Sequence, residues 1–295
     1  MDQALGLRSD LMRDKSWKGL HVEPASQVSQ GVRVMSVSSG KGGVGKSNIV
    51  VNLAVALDRL GLRVMLMDAD LGLANIDLLL GLTPRFNVGH VLAGTKRFRE
   101  VLVKGPGNIR ILPASSGMQE LTKLTDDQKL HFLEMLDEVD VEMDVMLIDT
   151  GAGISDTVLY FNLAAQERII VITQEPTSLT DAYALIKVLY TKHGERHFKI
   201  VANGVDDEKS GKMVFTKISK VADHFLDGLS LDFLGSIPKD TFIPQSVLQQ
   251  KALLELYPKA PASKAFLRMA DQIQRQAPRV NPGSIQFFWK RLMNV

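Results

Sequence analysis

The chain has 295 residues, 45% of them hydrophobic, a length that allows one large core or two smaller domains. Its 35 Lys and Arg nearly balance 33 Asp and Glu, so net charge alone gives no argument for a nucleic-acid partner. The absence of cysteine excludes disulfides and thiolate-held clusters, and no run of about 18 apolar residues is present to span a membrane.

Residues 1–31 stand apart from the rest. The first ten lack a basic start followed by an apolar core, so they do not read as a secretory signal. Residues 1–17 are polar with a few leucines, and 18–31, with Gly, Pro, Ser and Gln, read as a linker. From residue 32 short apolar runs alternate with longer helical patterns. Strands are predicted at 32–37, 63–67, 109–112, 145–148, 169–173, 199–202 and 231–234. Helices are predicted at 48–60, 126–139, 155–163, 179–191, 212–225 and 263–276. Near-continuous apolar strands between helices imply an α/β fold: a mostly parallel twisted sheet of about seven to eight strands with helices on both faces. One domain is expected over 32–276, with a second linker and a tail over 277–295.

The first strand runs into Gly40-Lys41-Gly42-Gly43-Val44-Gly45-Lys46-Ser47, and a helix opens at Asn48. Gly40, Gly45, Lys46 and Ser47 occupy the fixed positions of the phosphate-binding loop G-x-x-x-x-G-K-[ST]. The glycines let backbone N–H groups curl around a polyphosphate, and the helix N-terminus adds positive potential. Lys46 can reach the terminal phosphates and Ser47 can hold Mg²⁺. The second strand ends in Asp68-Ala69-Asp70, at the carboxyl edge where open α/β sheets bind ligands. The strand at 145–148 ends in Asp149, a Walker B pattern in which a buried strand delivers one carboxylate to the metal. Gly151 and Gly153 after it permit a loop that changes shape with the γ-phosphate. Asn203, after the strand at 199–202, carries an amide able to donate to and accept from a base edge; as part of Asn-Gly it also suits a turn. In the tail, Ile285, Phe288, Trp289 and Leu292 fall on one helical stripe beside Lys290 and Arg291. Such a basic amphipathic helix suits an anionic membrane surface; docking on the protein's own core is the alternative.

Lys41, directly after the first glycine, is not needed to cradle phosphate. The doubled lysine resembles the deviant loop of the MinD/ParA family of dimerising ATPases, and the resemblance runs from about residue 32 to the C-terminus. It implies ATP or ADP with Mg²⁺ as ligands, held by the loop residues 40–48 with Asn203. It also implies that Lys41 reaches across a homodimer to the partner's nucleotide, that Asp70 positions the attacking water, and that Asp68 supports the Mg²⁺ shell with Ser47 and Asp149. Pro238 and Asp240 resemble the family's IP-x-D loop, which packs against adenine. Thr150-Gly151-Ala152-Gly153 resembles the flagellar FlhG/FleN branch, which lacks the proline common elsewhere in this loop. So does the N-terminal Asp2-Gln3-Ala4-Leu5-Gly6-Leu7-Arg8. In that branch the arm docks on the SRP-type GTPase FlhF and stimulates it, which by residue match makes Gln3 the activating residue and Leu5, Leu7 and Arg8 docking residues.

The resemblance thus implies a regulatory ATPase of flagellar number and placement. It would be cytoplasmic and peripheral at the inner face of the cytoplasmic membrane, with the cell pole one candidate position. A flagellar transcription activator or switch-complex protein is a further candidate partner, and no direct nucleic-acid contact is expected. The alternative is a ParA-type DNA-partition ATPase, which leaves the head and the tail unexplained.

Overall fold

A computed structural model describes residues 31–70, 75–113 and 143–276. The arm at 1–30, the predicted helix at 126–139 and the tail at 277–295 lie outside the described residues.

Among the described residues the sheet has eight strands: β1 (Arg33–Ser39), β2 (Val64–Ala69), β3 (Val103–Lys104), β4 (Arg110–Leu112), β5 (Val145–Ala152), β6 (Glu167–Ile172), β7 (His197–Val205) and β8 (Ser230–Pro238). Their order across the sheet is β3-β4-β2-β5-β1-β6-β7-β8. All neighbours are parallel except β3, which pairs antiparallel with β4 at the edge. The central strands β1, β2 and β6 are buried along their whole length, as the unbroken apolar runs predict for a sheet covered on both faces.

The helices of the described residues are α1 (Lys46–Arg59), α2 (Asn75–Leu80), α3 (Val88–Leu92), α4 (Phe98–Val101), α5 (Asp156–Ala164), α6 (Pro176–His193), α7 (Glu208–Phe225), α8 (Phe242–Leu248), α9 (Leu253–Leu256) and α10 (Pro261–Arg275). On one face α1 packs its Ile49, Leu53 and Leu57 against β1, β2 and β5 and against Phe266 and Met269 of α10. On the other, Phe98 and Val101 of α4 and Phe161 of α5 cover β2 and β5. Leu185 and Leu189 of α6, with Val214 and Ile218 of α7, cover β6 and β7.

The structure moves several predicted boundaries. α6 starts at Pro176, whose fixed φ suits a first helical position, and ends at Gly194 in the left-handed region. α7 starts four residues before the predicted 212, because Asp207 accepts a hydrogen bond from the Ser210 amide (2.7 Å) and caps it there. The segment expected to loop after Asp149 is instead strand as far as Ala152. The Thr150 hydroxyl lies 2.8 Å from that of Ser38, and the Gly153 amide donates to the Ser39 carbonyl (2.9 Å), so β1 holds this segment, with a shift of register between Val37 and Ser39. β7 likewise runs through Asn203 to Val205, with an irregularity at Gly204 (φ 65°).

A buried charge cluster closes the opposite, amino-terminal edge of the sheet. Arg33 donates from Nε and Nη2 to Glu167 and from Nη1 to the carbonyls of Ile273 and Gln276 at the end of α10. Lys199 stands 3.5 Å from the same carboxylate. One carboxylate thus balances two buried cations and fastens the last turn of α10 to the sheet.

Candidate functional site

The loop from Gly40 to Gly45 joins β1 to α1, so its backbone is presented at the carboxyl edge of the sheet. At two of its positions an added side chain would clash. A Cβ on Gly40 would lie 2.1–2.4 Å from backbone atoms of Asp181 and Ala182, so the loop can pass α6 only without a side chain. Gly45 stands at φ 85°, and a Cβ there would also meet the Asn203 amide at 2.6 Å.

Lys46, the first residue of α1, is buried and places its ammonium 2.5 Å from Asp149 Oδ1. Asp149 is fully buried on β5, and its other oxygen, Oδ2, makes no hydrogen bond of normal geometry among the described residues. Burial pushes its pKa up, and the Lys46 ammonium opposes that shift. Beside it, in register on β2, is Asp68. Its Oδ1 accepts from the Asp70 amide (3.1 Å) and its Oδ2 from the Ile76 amide (3.2 Å). Burial, then the neighbouring Asp149 charge, raise the pKa of Asp68 to about 7. Asp70, half-buried, faces the Gly151 backbone: a Cβ on that glycine would lie 3.8 Å from its Oδ1. The structure therefore gathers Lys46, Asp68, Asp70, Asp149 and Gly151 at one point next to the loop.

The other predicted residues sit differently. Lys41 has other partners, 2.6 Å from Glu175 Oε2 and 3.0 Å from the Thr177 hydroxyl at the start of α6, and its side chain is 39% exposed. Asn203 donates from Nδ2 to the Val44 carbonyl (2.7 Å), so it braces the phosphate loop. Pro238 ends β8 opposite Val205. Asp240 accepts from the amides of Phe242 (3.0 Å) and Ala262 (3.0 Å), tying the starts of α8 and α10 together. Glu175 and Thr177 escape the sequence analysis although Pro176 marks a helix start directly after β6, at the same sheet edge; that juxtaposition is the signal available for them. The arm residues Asp2, Gln3, Leu5, Leu7 and Arg8 and the tail residues Ile285, Phe288, Trp289, Lys290, Arg291 and Leu292 lie outside the described residues.

The donor set fits Mg²⁺ bound together with a polyphosphate. It offers a hydroxyl (Ser47), buried carboxylates on adjacent strands, one with an unused oxygen, and a lysine able to exchange that carboxylate for phosphate. Few-ligand sites of this kind are what Mg²⁺ uses when phosphate oxygens and water complete its octahedron.

Fold and site together define a P-loop nucleotide hydrolase. Residues 32–200 match the family model described as "AAA domain". The chain is 45% identical over 263 residues to the antiactivator FleN of Pseudomonas aeruginosa, covering 89% of this chain and 94% of that protein. It is 32% identical to the flagellum site-determining protein YlxH of Helicobacter pylori, over 88% and 90% of the two chains. Among solved structures, septum site-determining MinD from Pyrococcus horikoshii, complexed with Mg-ADP, superposes with a TM-score of 0.64 at 25% identity, covering 83% of this chain and 96% of that one. MinD in the MinC:MinD complex of Aquifex aeolicus gives 0.65 at 26%, covering 84% and 98%. The chain belongs to the FlhG/FleN branch of the MinD/ParA family of P-loop ATPases. It hydrolyses ATP, with ATP or ADP and Mg²⁺ as its ligands.

Proposed function

We propose that this ATPase is a nucleotide-controlled dimerisation switch that sets flagellar number and placement. The observation that carries the reading is Lys41: a second loop lysine, bonded at the surface to Glu175 and Thr177 and not to the carboxylate that Lys46 holds. An exposed ion pair of this kind is worth about 0–1 kcal/mol, so a second copy can claim the lysine at little cost.

Lys46 is the first group to respond to nucleotide. It exchanges Asp149 for the terminal phosphates, which frees the Asp149 carboxylate for the metal. Ser47, Asp68 and Asp149 would hold Mg²⁺, which supplies neutralisation of phosphate charge. Asp70 orients the attacking water beside Gly151. Lys41 from the second copy neutralises charge that develops on the transferring group, so turnover is slow in the monomer and depends on the dimer. In the dimer two tails act together, and linked binding raises avidity for an anionic membrane by about 10²–10⁴. The arm folds on a partner, the GTPase FlhF, with the linker giving reach and Gln3 acting on it. A flagellar transcription activator is the second candidate partner, which accords with the antiactivator description of the Pseudomonas relative.

The test uses an Asp70→Ala protein to hold the ATP state. Light-scattering mass is measured in Mg·ATP and Mg·ADP, with flotation on anionic liposomes in parallel. A dimer that forms and floats only with ATP is expected. A protein that stays monomeric and off the liposomes in both nucleotides would overturn the switch. Salt-sensitive binding to arbitrary duplex DNA would instead favour the partition reading.

A further inference from the structure

Away from the nucleotide loop, at the amino-terminal edge of the sheet, lies a cavity of about 460 Å³. That falls within the usual range for small-molecule sites, roughly 300–1,000 Å³. Its apolar wall is made by Met65 of β2, Leu102 after α4 and Met143 before β5, the open end of the core layer between α4 and the sheet, with Val64 beside them at the start of β2. Two methionines make such a wall adaptable to a flat apolar body. Three guanidinium groups, Arg63, Arg99 and Arg110, line the same space.

Arg63 is held by Asp144 (2.6 Å), while Glu100, the acidic residue of α4, is taken by Lys96 (2.9 Å). Across the antiparallel pair β3·β4, Lys104 stands directly opposite Arg110. Both side chains are exposed, and neither makes a hydrogen bond or ion pair among the described residues. Like charges directly opposite each other on neighbouring strands disfavour the pairing, so the β3·β4 ribbon is destabilised as it stands. An anion placed between the two side chains removes that repulsion. Arginine's planar fork matches a phosphate's oxygens two at a time, and a phosphate's third free oxygen and second negative charge remain for the lysine opposite.

We propose that this cavity is a second ligand site, separate from the ATP loop, for a phosphate monoester bearing a flat apolar ring, of nucleoside-monophosphate size. The phosphate lies between Arg110 and Lys104, and the ring lies on Met65, Leu102 and Met143. The site is built on the starts of β2 and β5, whose far ends carry Asp68 and Asp149, so it shares strands with the nucleotide site without sharing residues.

The experiment is calorimetric titration of the full chain, its loop saturated with Mg·ADP, with AMP, GMP, CMP and UMP, and with inorganic phosphate as the comparison. At least one nucleoside monophosphate is expected to bind about tenfold tighter than inorganic phosphate, reflecting the apolar wall, and to raise the melting temperature. Arg110→Gln and Lys104→Gln should each weaken that binding by about tenfold, as loss of a charge-assisted phosphate contact would, while affinity for Mg·ADP is unchanged. Both substitutions lie on the surface and relieve the cross-strand repulsion, so the unliganded variants should melt no lower than the parent. The proposal is overturned if no nucleoside monophosphate exceeds inorganic phosphate, or if both variants bind it as the parent does.

Discussion

Asp68 should make the unliganded protein lose stability as the pH rises. Its folded-state pKa, about 7, lies above its ordinary value of 3.8, so between those values the folded protein binds more protons than the unfolded chain. Stability from this group is therefore full below about pH 4 and falls until about pH 7 is passed. A shift of about three units corresponds to roughly 4 kcal/mol in all, of which about 2–3 kcal/mol falls between about pH 5 and pH 8. Asp68→Asn removes the titration. It keeps one acceptor for the Asp70 or Ile76 amide and turns an N–H toward the other, at a pH-independent cost of about 1 kcal/mol. Urea unfolding of both proteins without Mg²⁺ or nucleotide should show the variant gaining about 2–3 kcal/mol on the parent between about pH 5 and pH 8. With Mg·ADP the gain should shrink, since bound metal favours the carboxylate that the variant lacks. A stability difference between the two proteins that does not change with pH would refute the reasoning. Asp68 would then not be held protonated by burial and by Asp149.

Glu167→Ala should cost about 3–5 kcal/mol by leaving Arg33 and Lys199 buried around a missing carboxylate, read as a lower urea midpoint. Gly40→Ala should cost about 3 kcal/mol and lose ADP affinity together with stability, because its Cβ strikes the backbone of α6; an alanine protein that melts and binds like the parent would remove the packing argument. Glu175→Gln should change stability by less than about 0.5 kcal/mol, since its pair with Lys41 is exposed, yet raise the ATP-dependent dimer fraction in light scattering by releasing Lys41. Lys41→Ala should abolish that dimer-dependent turnover, and wild-type-like hydrolysis by it would contradict the trans role.

The parts of the site legible in the sequence are those fixed by backbone geometry. A glycine loop between an apolar strand and a helix has few other readings, and strands ending in Asp68 and Asp149 had to deliver those carboxylates to the sheet edge nearest the loop. What escaped depends on contacts between segments distant in the chain. Asn203 follows a strand in the sequence, and its amide type suggested a base. Its position on the Val44 carbonyl follows from β7 continuing past it, which no local pattern encodes. Asp240 shows the same thing from another side, since its two acceptor oxygens reach helix starts 2 and 22 residues away. Short elements such as β3, α8 and α9 have too few residues to show a period.

Lys41 unites both kinds of information. The sequence marks it as surplus to its own phosphate site, and the structure finds it bonded to Glu175 and Thr177, while Lys46 is bonded to Asp149. Two lysines five residues apart in one loop thus point to two places. Lys46 reads the nucleotide the chain itself binds, and Lys41 stands ready at the surface. A residue with that orientation has a catalytic use only if a second copy brings its own nucleotide to it. On the proposed reading that requirement, and not the chemistry of hydrolysis itself, is what would make the protein a switch.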